Sequence, residues 1–116
     1  MKRILAAFFN SMRGFARAFR TETAVRQEIV ALAAGSFLAI VIARSLLQFV
    51  LLTGVLLLLL AVEILNTAIE KLCDHVMPDW HERIGYIKDL GSAAVFCLLA
   101  MTGIVWAAVL FQNFIQ

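Results

Sequence analysis

Residues 46–70 read LLQFVLLTGVLLLLLAVEILNTAIE. The first seventeen positions of this run carry no charge, close to the roughly 20 apolar residues that a helix needs to cross hydrocarbon. Glu63, Asn66 and Glu70 then interrupt it. At about 100° per residue they fall within roughly 60° of one another, so on a helix they share one face. Insertion scales charge an acid at a helix centre about 2.5–3.5 kcal/mol, so ionisable groups there usually face a bundle interior and do chemistry or move ions. The face formed by Glu63, Asn66 and Glu70 is therefore the first candidate active site.

The rest of the chain supplies the same setting. It is 63% apolar and 16% charged, against about 45–50% and 25% in soluble domains. Fifteen uncharged residues lie between Glu28 and Arg44, eighteen lie between Arg44 and Glu63, and none is charged after Asp89. These stretches predict an all-α membrane protein with three transmembrane helices, near 25–45, 48–70 and 87–112. Pro78 marks the one obvious break between helices. With 116 residues there is room for a single membrane domain and no separate soluble enzyme module.

Basic residues set the orientation. Six of them, from Lys2 to Arg26, precede the first span, and Lys71, Arg83 and Lys88 flank the second link, whereas Arg44 alone marks the other side. Nine against one predicts a cytoplasmic N-terminus and a cytoplasmic 71–88 loop. All eight acids lie on or near that side.

Residues 3–20 form a different membrane element. Ile4, Phe8, Met12, Phe15 and Phe19 recur at helical spacing, with Arg3, Asn10, Arg13, Arg17 and Arg20 opposite. This is the pattern of an interfacial amphipathic helix. Its arginines interrupt the continuous apolar core that a cleaved signal peptide requires.

Several chemistries are disfavoured. Cys73 and Cys97 form no CxxC pair, and the spacing of His75 and His81 matches no zinc pattern. There is no GxxxxGK[ST] or GxGxxG signature, and nothing points to nucleic acid. Acids clustered toward one face leave most of the bilayer without a polar relay, which argues against an ion-conducting oligomer. A small structural or regulatory subunit explains the size but not the repeated acids on one helical face. Magnesium, by contrast, takes oxygen ligands, often one or two carboxylates with water and substrate phosphates. Glu22 and Glu70 can hold it, with Lys88 near the phosphates and the deeper Glu63 as base for a lipid hydroxyl.

Two separated segments, EILNTAIE at 63–70 and KDLGSAAV at 88–95, with ETAVRQE at 22–28 upstream, resemble the prokaryotic diacylglycerol kinases, small integral membrane lipid kinases. The resemblance covers nearly the whole chain. It implies γ-phosphoryl transfer from ATP, with Mg2+, to diacylglycerol in the bacterial inner membrane, with the active site cytoplasmic. It also implies a homotrimer whose sites are shared between protomers. Carried onto matching positions, Glu63 is the catalytic base, Asn66 positions the reacting groups, and Glu22 and Glu70 bind the metal. Arg3, Asn10, Asp79, Trp80, His81, Lys88 and Asp89 join them at the nucleotide. Arg26, Ser92 and Trp106 lie on the lipid side with Glu63. Departures fall at peripheral positions: Asn10 replaces a tyrosine common in the family, and Ala6 and Tyr86 stand where a lysine and an arginine occur. The runner-up substrate within the same family is undecaprenol.

Overall fold

The computed structural model describes residues 1–115. Four helices follow in order: α1 (Lys2–Thr21), α2 (Thr23–Ile42), α3 (Leu46–Val76) and α4 (Glu82–Phe114), with no strand among the described residues. The last three are long and apolar enough to cross a membrane. The all-helical class, the less apolar first helix and the three spans agree with the sequence reading.

The helix ends differ from those expected, for local reasons. α2 stops at Ile42 rather than near 45 because Ala43 turns extended and Ser45 caps the next helix, its hydroxyl accepting from the Gln48 amide at 3.1 Å. α3 continues past 70 to Val76, and α4 begins at Glu82 rather than 87. Charge-free stretches measure the hydrocarbon, whereas a helix keeps its backbone bonds beyond it, through Lys71, Asp74 and His75. The link containing Pro78 separates the two, and His81 starts α4, its Nδ1 accepting from the Arg83 amide at 3.1 Å.

α3 packs along both α2 and α4, while α1 joins mainly through α2. Arg26 holds that joint: its guanidinium donates to the Phe19 carbonyl at 3.0 Å, at the end of α1 where helix carbonyls lack partners. No residue of α1 is buried, and Ile4, Phe8, Met12, Phe15 and Phe19 lie open along it, as an interfacial helix requires.

The apolar core lies near one end of the bundle. Ala39, Ile42, Leu52 and Val109 form it, with Phe49, Val105 and Trp106 packed around them. The Trp106 indole donates to the Leu52 carbonyl at 3.2 Å. Beyond this layer a polar clasp ties three helix ends together. Gln48 and Asn113 exchange two amide hydrogen bonds at 2.8 and 2.9 Å, and Asn113 also donates to the Ile42 carbonyl at 3.0 Å. Such bonds count where no water competes, and the clasp fixes this end while every charged residue except Arg44 lies toward the other.

Candidate active site

Glu63 lies eleven residues beyond Leu52 on α3, about 16 Å farther along the axis. It and Asn66 are buried, at 8% and 7% exposure, and Glu70 one turn on is half-buried. The i, i+4 spacing brings the Asn66 amide to Glu70, donating to Oε1 at 3.2 Å. The shared face read from the sequence therefore points into the bundle.

Asn66 is placed by α4. Gly91 is buried against it, and a Cβ built at Gly91 would overlap the Asn66 Oδ1 and stand 3.2 Å from its Cγ. The small-residue segment 91–94 thus admits a polar side chain where a larger residue would hold α3 and α4 apart. From α2, Glu28 comes within electrostatic reach of Glu63, which in turn feels Glu70. The Glu28 Oε2 and the Asn66 Oδ1 are buried acceptors with no hydrogen-bond partner among the described residues. A buried acceptor left alone costs about 1–3 kcal/mol, so both are held there by the surrounding helix packing.

Farther toward the charged end, two ion pairs cross between helices. Lys71 Nζ meets Glu22 Oε1 at 2.7 Å, and Lys88 Nζ meets Asp74 Oδ1 at 2.6 Å. Glu22 stands at the junction of α1 and α2, where it closes one helix and opens the next. A groove of about 480 Å³ opens there, lined by Gly14, Arg17, Thr21, Glu22, Thr67 and Lys71. No three or more His, Cys, Asp or Glu side chains among the described residues are placed to hold a metal ion together, so a cation here would take one or two carboxylates and leave its remaining positions to other oxygens.

The family model of the prokaryotic diacylglycerol kinases matches residues 9–110. This chain belongs to that family. A curated diacylglycerol kinase from Escherichia coli strain K12 is 40% identical over 116 aligned positions, 97% of this chain and 92% of that protein. The diacylglycerol kinase of Pseudomonas aeruginosa is 39% identical, covering 95% of this chain and 89% of its own. That of Haemophilus influenzae is 37% identical, covering 87% and 86%. The resemblance drawn from the separated motifs is borne out, and with it the reading of the chain as an enzyme, a kinase that draws on a nucleotide.

Within one chain of this kinase family, the residues expected at the site divide into two sets. Glu22, Glu63, Asn66, Glu70 and Lys88 gather at one end of the α2–α3–α4 bundle. Asp89 and Ser92 are exposed on α4 near the same end, and Asp79, Trp80 and His81 form the exposed link before it, with His81 serving as helix cap. Arg3 and Asn10 do not join them: nineteen and twelve residues of chain separate them from Glu22, about 28 and 18 Å along α1. Asn10 instead contacts Arg13 on its own helix. Arg26 is engaged by the α1–α2 joint, and Trp106 by the core near Leu52, away from Glu63.

Sequence reasoning missed Lys71 and Asp74 as neighbours of the site and assigned Glu28 no role. Glu28 carried a signal, since it falls three positions inside the expected first span, but no local pattern announces that Lys71 meets a residue forty-nine positions earlier.

Proposed function

We propose that the protein transfers the γ-phosphoryl group of MgATP to the free hydroxyl of diacylglycerol, giving phosphatidic acid at the cytoplasmic face of the bacterial inner membrane. The observation that carries this reading is the burial of Glu63 beneath a charged rim. With α3 entering hydrocarbon at Leu46, Glu63 lies about 26 Å in and Glu70 about 36 Å, against a core of about 30 Å. Glu63 thus stands just inside the lipid boundary and Glu70 outside it. A lipid hydroxyl reaches the first depth by lateral diffusion, and a nucleotide reaches the second from water.

The reaction then needs one proton acceptor and a set of positioned charges. Glu63 takes the proton of the lipid hydroxyl as its oxygen bonds to the γ-phosphorus, the bond to the β-phosphate oxygen breaks, and ADP leaves. Asn66, wedged with its Oδ1 against Gly91, holds its amide toward Glu70 and so orients that carboxylate. Glu22 and Glu70 would supply the oxygen donors for Mg2+, and the ammonium already seated on Glu22 supports a cation at this carboxylate. When bound, Mg2+ neutralises phosphate charge that builds during transfer. Lys88 at the rim meets the phosphates, with Asp89, Asp79, Trp80 and His81 around the nucleotide, and Arg26, Ser92 and Trp106 on the lipid side.

The distance of Arg3 and Asn10 from Glu22 within one chain supports a site completed by a neighbouring protomer, and the family resemblance makes that assembly a homotrimer. The direct test is purified protein in mixed micelles with MgATP, offered diacylglycerol and undecaprenol side by side. Phosphorylation of diacylglycerol is the expected result. Transfer to undecaprenol alone would overturn the substrate, and transfer to neither would overturn the kinase.

A further inference from the structure

The Lys71–Glu22 pair is asymmetric. The lysine side chain is 67% exposed and the glutamate only 16%. Glu22 is thus the fixed partner, at the joint of two helices, and Lys71 the mobile one, a flexible stem reaching back across the groove from α3. Its backbone immediately follows Glu70, and Asp74 and Glu70 also attract the ammonium. One cation therefore stands among the carboxylates expected to receive another.

We infer that Lys71 is the resident counter-cation of Glu22, which a divalent ion displaces on binding, and that the released ammonium then contacts the nucleotide's phosphates. This rests on the assignment of Glu22 and Glu70 to the metal. Exchange is easy because an exposed lysine regains water when it lets go, and exposed ion pairs are individually weak. A divalent ion also brings twice the charge and is bound by both carboxylates. The ammonium cannot leave the region, since its Cα is held one residue, about 3.8 Å, from that of Glu70. Arg17 is a second basic residue along the same groove. Lys71 is therefore a positioning residue for metal entry and a contact residue for phosphate.

The test is Mn2+ binding to the full-length protein in micelles without nucleotide, followed by electron paramagnetic resonance, beside the KM for ATP. Lys71→Met should bind Mn2+ about two- to fivefold tighter than the unaltered chain, the size expected for loss of a weak exposed pair. Lys71→Arg, which keeps the cation, should bind it as the unaltered chain does. The gain should vanish when Glu22→Gln is added to Lys71→Met, and KM for ATP should rise several-fold in Lys71→Met. Equal or weaker Mn2+ binding in Lys71→Met, a gain that survives Glu22→Gln, or an unchanged KM would each overturn the inference. Failure of the kinase reading shows separately, as absence of diacylglycerol phosphorylation by the unaltered chain.

Discussion

The Asn66 side chain occupies the space that a methyl group at Gly91 would need. The pair joins α3 to α4 at the depth of the buried acid, so the spacing of these helices and the aim of the Asn66 amide are one quantity.

Gly91→Ala should therefore act on chemistry through packing. The added carbon overlaps the Asn66 Oδ1 and presses on Cγ, and overpacking of this kind typically costs about 1–3 kcal/mol. We expect a turnover at least about tenfold lower with a lowered melting temperature, because misplacing a positioning group by about 1 Å can cost a hundredfold. Steady-state kinetics beside thermal unfolding in detergent checks both. Unaltered turnover would show that Asn66 need not keep this position.

At the opposite end, Asn113→Leu should weaken the fold while sparing the reaction. Loss of the amide leaves the Ile42 carbonyl without its partner and removes both bonds to Gln48, which keeps Gln112 and the Arg44 backbone N–H, at about 1–3 kcal/mol. Asn113 is twenty-two residues from Gly91 on α4, about 33 Å. Activity below the lowered melting temperature should be within about twofold of normal, and thermal inactivation should come earlier.

How much of this was readable in the sequence follows from the range of each interaction. The three spans, the break at Pro78 and the common face of Glu63, Asn66 and Glu70 are local patterns of hydropathy and helical period, and the structure carries all of them. Gly91 opens a small-residue segment of the kind that lets membrane helices approach, but nothing local says that Asn66 fills the space beside it. The Gln48–Asn113 clasp spans sixty-five positions and the Lys71–Glu22 pair forty-nine, and neither leaves a periodic trace. Lys71, one position from Glu70 and so about 100° around the helix, read as a flanking charge for topology. Trp106 and Arg26 were placed by family likeness. Their hydrogen bonds to the Leu52 and Phe19 carbonyls give each a fold-supporting contact that side-chain type alone does not predict.

A shared site makes its own prediction. Protomers carrying Glu22→Gln, mixed with protomers carrying Glu63→Gln and reassembled, should regain activity that neither variant shows alone, provided the two residues of one site come from different chains. Activity that stays at background at every mixing ratio would place both in the same chain.

The most direct measurement of the central claim is turnover by Glu63→Gln in mixed micelles with MgATP and diacylglycerol. The substitution keeps size and shape at a buried position and removes the proton acceptor, and a positioned base contributes about 10²–10⁴-fold. We expect a loss of that order with helix content and assembly unchanged, and turnover within about threefold of the unaltered enzyme would contradict the assignment of Glu63 as the base.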